Sequence, residues 1–507
     1  MEEISHKLSA YSSNSKIYAD IHIHPTLKPY NWFETDSNNN KSSIYYQKKP
    51  KRRQKDNQVV NFTQSDLKTI AESNTKLVYA SFSPIERNWF NHSEINKRIA
   101  SILFGLELSR INNLSKQTNY FVEFENEINL FRKEQNKIFS VNGINYKIAV
   151  PKTYQELNNN FSQNIINVIP TIEGIHSLFS YEPEKIITQQ RSLFENINFI
   201  KKNEFKPFFI TLSHHFYNFL SGHCKSIFTE NTLLDKFLKM IVDQNQGMNA
   251  TLTTFGKEII KYLLEIEHYS NKNQRVLIDI KHLSVESRKM YYEMLCTHNN
   301  NNPSNKIPII ASHCAYSGVN SYEQLGKTDE VHFNNNTVNL CAQDVKQIYL
   351  SSGLIGITID ERVLASSHFR KIIKKLENDY ESYTKIWASH ICYHICKMAE
   401  VIINDPSIED KSFVWNLFAI GSDFDGFINP VNSFASALQF RDLEMYLIYA
   451  FEENRFFKLF MDKISAYEVV RKIMFENAYN FTSKHYFIKN ENTSQEQLQI
   501  GSSSWTI

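Results

Sequence analysis

The 507-residue chain is short of the residues that punctuate or staple a fold, with 13 glycines, 12 prolines and six cysteines. The cysteines (Cys224, Cys296, Cys314, Cys341, Cys392, Cys396) are too sparse and irregular for a disulfide framework, so reduced thiols are expected. An excess of one charge is lacking too. A formal net charge of +2 gives no global field of the kind that draws nucleic acid or membrane surfaces, and neither is expected as a partner. The basic run KKPKRRQK (48–55) is a local exception; with no aromatic residue interleaved, it reads as a solvated insertion. No apolar run reaches membrane-spanning length, and the opening MEEISHKLSAYSSNSK lacks the basic start and apolar stretch of a signal peptide. A soluble, cytoplasmic protein is the expectation.

What the chain has instead is a recurring pattern: short apolar runs that end on a residue able to bind a divalent metal or move a proton. They are IYADIHIH (17–24), IINVIPTIEG (165–174), FFITLSHH (208–215), RVLIDIKH (275–282), PIIASHC (308–314) and LFAIGSDFDG (417–426). Their ends supply His22, His24, Glu173, His214, His282, His313 and Asp423. Such runs are too short for buried helices and read as buried strands; KLVYASFS (76–83) and GLIGITID (353–360) bring the number to eight. Amphipathic stretches at helix spacing lie between them: 65–73, 233–244, 255–268, 381–403 and 466–481. The alternation predicts an α/β fold, a (β/α)8 TIM-like barrel whose strand ends gather distant ligands at one face. One domain is expected over 1–489, with insertions at about 34–62 and 105–160 as candidate covers for that face, and a polar, disordered tail over 490–507.

Alternate residues of a strand share a face, so His22 and His24 project together toward one ion. Crowding this many titratable groups without a metal would cost about 1 to 3 kcal/mol per unsatisfied group. Imidazole and carboxylate donors suit zinc. Four histidines around one glutamate exceed the needs of a single catalytic ion, whereas two Zn(2+) per chain, bridged by Glu173, would use all five. Asp423 is the candidate acid/base group, with a structural cap as the competing reading; Asp425 reads as structural. His214 is placed to donate to an oxyanion, with His215 as its rival, since alternation turns only one inward. Asp20, on the same strand face as His22, is a candidate outer carboxylate for a histidine N–H. His390, Cys392, His394 and Cys396 read as a packed helix face rather than a second zinc site, and Cys314 as packing.

These residues resemble the membrane dipeptidase (renal dipeptidase) family of zinc metallopeptidases, within the amidohydrolase superfamily. IEGIHSL (172–178) is similar to that family's bridging-glutamate segment and ITLSHHFYN (210–218) to its catalytic-histidine strand. LTTFGKEIIKYL, IDIKHLS, PIIASHCAYSGV, GLIGITI, IGSDFDG and IMFENAYNF follow in the matching order, so the resemblance runs from about Asp20 to Phe481. It implies that Glu173 bridges two zincs, His22 and His24 bind one, His282 and His313 the other, Asp423 handles the proton and His214 meets the scissile carbonyl oxygen. Two departures stand out. The family's His-x-Asp is here His22-Ile23-His24, and its carboxylate-holding arginine is replaced by Asn339, the candidate substrate-binding residue. The expected function is a binuclear zinc hydrolase that cleaves the amide of dipeptides or dipeptide-like molecules by metal-hydroxide attack, with a homodimer as a candidate assembly. The alternatives are an amidohydrolase acting on a lactone, cyclic amide or amino-acyl conjugate, which Asn339 favours, and a catalytically weak barrel with a binding or regulatory role.

Overall fold

The computed structural model describes residues 16–31, 43–49, 62–90, 93–104, 106–186, 188–227, 242–266, 275–327 and 330–487. The expected helix at 233–244 apart from its last three residues, most of the 34–62 insertion with most of the basic run, and the 490–507 tail lie outside them.

All eight expected strands form: β1 (Tyr18–Ile23), β2 (Thr75–Phe82), β5 (Ile165–Glu173), β6 (Phe209–Thr211), β7 (Leu277–Asp279), β8 (Ile310–Cys314), β9 (Leu354–Ile357) and β10 (Phe418–Ile420). They pair in parallel in the order β1-β2-β5-β6-β7-β8-β9-β10. The sheet closes just beyond the end of β10, where Asp423 N–H donates to His22 O (3.0 Å) and His24 N–H to Phe424 O (2.8 Å). This is the expected TIM-like barrel. Helices cover its outside, which is why the strands are apolar on both faces rather than alternating. Between β9 and β10 runs the longest, Tyr380–Asn404; the last, Ala466–His485, carries a π-turn over Lys472–Glu476, after which the Asn477 amide donates to Trp415 O and Phe418 O (both 2.8 Å).

The 105–160 interval has structure of its own that the sequence reading missed: helices Leu108–Leu114, Tyr120–Arg132 and Tyr154–Phe161, and a hairpin of β3 (Phe139–Val141) and β4 (Ile144–Ala149). The signal was present. Asn142-Gly143 occupies the turn with φ of 49° and 80°, the left-handed pair that a two-residue hairpin loop requires. Strand β4 pairs with the first residues of β5, while helix Tyr120–Arg132 reaches the opposite end of the barrel. There its buried Glu127 accepts from Thr26 Oγ1 (2.6 Å) and Ser83 N–H (3.1 Å), just past the ends of β1 and β2. Among the described residues no helix is long and apolar enough to cross a membrane.

Candidate active site

Because the strands are parallel, their last residues face a common mouth, and the side chains there converge on Glu173. Its Oε1 lies 3.2 Å from His282 Nε2, 3.4 Å from His313 Nε2 and 3.6 Å from His22 Nε2. Oε2 lies 3.2 Å from His24 Nε2 and 3.6 Å from His214 Nε2. Asp423 Oδ1 stands 3.4 Å from His24 Nε2 and 3.8 Å from His22 Nε2, with Oδ2 3.9 Å from His313 Nε2. Six groups singled out in the sequence, His22, His24, His214, His282, His313 and Asp423, thus meet around the Glu173 carboxylate.

The backbone is bent to make this possible. His282 and Asp423 both sit in the left-handed region, with φ of 65° and 64°. Such positions are unfavourable for side chains other than glycine and cluster at functional sites. Gly174, with φ 88°, is obligatory for a second reason: a Cβ there would lie 2.3 Å from His176 Nδ1 and 3.1 Å from His214 Cβ.

The donor set fits divalent cations. The Nε2 atoms of His22 and His24 are 3.2 Å apart, close to the edge of about 3.3 Å that two ligands span at zinc bond lengths near 2.0 Å. Among the described residues, four groups of three possible ligands lie within coordination reach: His22, His24 and Asp423; His22, Glu173 and His313; Glu173, His214 and His282; and Glu86, His176 and His214. The electrostatics agree. Burial opposes ionisation of Glu173, but the bonds from His22, His24 and His282 hold its carboxyl well below the usual range. Burial likewise opposes charge on His24, and Asp423 and Glu173 outweigh it, drawing that imidazole up to about 10. Burial, reinforced by neighbouring imidazoles, keeps His214 and His313 neutral, with a lone pair available. A site that pulls positive charge toward carboxylates while leaving neutral imidazoles around them is suited to metal ions.

Other singled-out residues lie elsewhere. Asp20 does not reach an imidazole: its Oδ1 accepts the backbone N–H groups of His22 (3.1 Å) and Ser422 (3.0 Å), tying β1 to the end of β10. Asn339 is fully buried and spends its amide on Asn334 O and Val363 O (both 2.8 Å), so it offers no donor to a substrate carboxylate. His215 turns away from Glu173 to Ser226 (2.8 Å). Asp425 pairs with buried Lys28 at 2.7 Å and accepts from the backbone of Gln64 and Ser65, a structural part as expected. Cys392 and Cys396 pack with sulfurs 3.8 Å apart, and His390 and His394 face Leu364 O, a packed helix face. Glu86, His176 and Glu127, which border the cluster, were missed. His176 stood in the IEGIHSL segment, but nothing in the spacing of Glu86 or Glu127 marks them.

No family model and no curated protein matches this chain. Among solved structures it is similar to the dipeptidase AC, a metallopeptidase of family M19, at 11% identity and TM-score 0.48, covering 93% of this chain and 99% of that one. It is also similar to a Rhodobacter sphaeroides metallopeptidase liganded with a phosphinate mimic of the dipeptide L-Ala-D-Ala (11%, 0.46; 93% and 100% covered). A third is the probable dipeptidase PvdM of Pseudomonas aeruginosa (12%, 0.46; 96% and 99% covered). At such distances the functional reading rests on the side chains themselves.

Proposed function

We propose that the protein is a metal-dependent hydrolase that cleaves the amide bond of dipeptides or dipeptide-like molecules, and that two zinc ions would be held at the cluster with Glu173 serving both. The observation that carries this reading is the convergence of imidazoles on one buried carboxylate, with Oε1 3.2 and 3.4 Å from His282 and His313, Oε2 3.2 Å from His24, and His22 Nε2 within 3.2 Å of His24 Nε2. His22 and His24 would hold one ion and His282 and His313 the other. Zinc in such a site supplies Lewis acidity and brings the pKa of a coordinated water toward neutrality. The chain's own residues would do the rest. Asp423 has the most open side chain of the set, 16% exposed, and so can exchange protons with solvent; it would take a proton from the attacking water and deliver it to the leaving amide nitrogen. His214 Nε2, on the Oε2 side, would meet the carbonyl oxygen as charge develops on it.

The commitment of Asn339 to backbone carbonyls favours a second substrate class, a lactone, cyclic amide or amino-acyl conjugate that needs no carboxylate clamp. One screen separates the two. Metal-replete protein should release amino acids from a dipeptide panel; turnover confined to esters and lactams would select the second class, and no turnover on either panel would defeat the hydrolase reading.

A further inference from the structure

We propose that Glu86 is a positioning residue for His214, holding both the backbone turn and the ring of that histidine without itself binding metal or substrate. The inference rests on the hydrolase reading for its functional consequence and on geometry for its substance. Glu86 lies in the loop after β2, far from His214 in sequence, and is 5% exposed. Its Oε2 lies 2.9 Å from His214 Nδ1, a close approach rather than a hydrogen bond, and accepts the His215 N–H at 3.3 Å. Oε1 accepts the Phe216 N–H at 3.2 Å. The carboxylate therefore grips the turn immediately after His214 at two points and lies against the edge of the imidazole that faces away from Glu173. The other edge carries Nε2, 3.6 Å from Glu173 Oε2.

The same loop fixes a face of the ring. His176 Nε2–H donates to Pro84 O at 2.9 Å, and the His176 ring lies parallel to that of His214, at 5° and 5.8 Å between centroids. Both neighbours of His214 are thus anchored within Pro84–Glu86. Two backbone N–H groups would be satisfied by a neutral amide oxygen, at less desolvation cost than a buried carboxylate carries. The contact with the imidazole edge is what distinguishes Glu86 from such an amide. Outer partners of this kind typically change activity by 10- to 100-fold when removed.

The test is a double-mutant cycle on metal-replete protein with the best substrate of the panel. Glu86→Gln, which preserves shape, should lower kcat by roughly 10- to 100-fold with KM changed less than about twofold and metal content equal to the parent. In a His214→Ala background the same substitution should cost less than about twofold. An equal loss in both backgrounds would make Glu86 a merely structural residue and overturn the proposal. Loss of a metal equivalent in Glu86→Gln would overturn it in favour of a ligand role. The 15N resonances of the His214 ring provide a readout independent of turnover. If the parent is inert on every substrate but these resonances move in Glu86→Gln, the hydrolase reading fails and the positioning role stands; unmoved resonances would refute it.

Discussion

Glu173 is a buried carboxylate kept ionised by the imidazoles around it, which reach it from the ends of the strands and from the turns just past them. His24 is the most informative of these, since it stands where the resembling family carries an aspartate. Replacing His24 with alanine should remove about one metal equivalent by elemental analysis, whereas His24→Asp, which restores an oxygen donor, should retain it. Full metal content in His24→Ala would make His24 a packing residue. Gly174 gives a second test. Gly174→Ala must strain a residue at φ 88° and displace the His176 ring, so a loss of about 1 to 3 kcal/mol in urea unfolding is expected, together with reduced turnover from a shifted His214. At this scale the sequence was legible where strand alternation decides direction, as for His22 with His24. It was not legible where reach decides the partner. Asp20 shares a face with His22 as alternation requires, yet the nearest donors are the backbone N–H groups of His22 and Ser422, and they take its carboxylate first.

Single elements are held to the barrel by buried charges that sequence pattern does not reveal. Helix Tyr120–Arg132 delivers Glu127 to Thr26 and Ser83, and burial, only partly offset by Thr26 and His24, pushes its carboxyl up to about 7 from 4.5. Between those values the folded protein keeps a proton that the unfolded chain has lost. Stability should therefore fall as pH rises through roughly 4.5 to 7 and level off above. Glu127→Gln should flatten this dependence by an amount on the order of 3 kcal/mol, read as the difference in unfolding free energy between pH 5 and pH 8. An unchanged slope would contradict the assigned environment. Two residues beyond Thr26, Lys28 pairs with Asp425 and ties the first helical turn after β1 to the segment after β10. Breaking this pair with Asp425→Asn should destabilise by about 3 to 5 kcal/mol while leaving metal content intact; loss of metal at undiminished stability would give Asp425 the chemical part assigned to Asp423. The hairpin Phe139–Ala149 shows why elements inside the long interval went unread: its strands are short and half-exposed, so only the Asn142-Gly143 turn marked them.

For the molecule as a whole, the barrel was legible because parallel strands buried on both faces are near-continuous apolar runs, and because the chemistry of such a barrel gathers where the runs end. The candidate ligands from His22 to Asp423 follow that pattern, whereas Asp20 and Asn167 are buried polar residues inside β1 and β5, and closure brings the ends of β1 and β10 together at the cluster. Contacts such as Glu86 with His214 depend on loops meeting across the mouth, which no local pattern encodes. The most direct measurement of the central claim is amino-acid release from a dipeptide panel by one preparation assayed as purified, after chelation, and after zinc is restored. The account predicts turnover that chelation abolishes and about two equivalents of zinc per chain recover. Turnover that survives complete metal removal, or a fully zinc-loaded protein inert to every dipeptide, would contradict it.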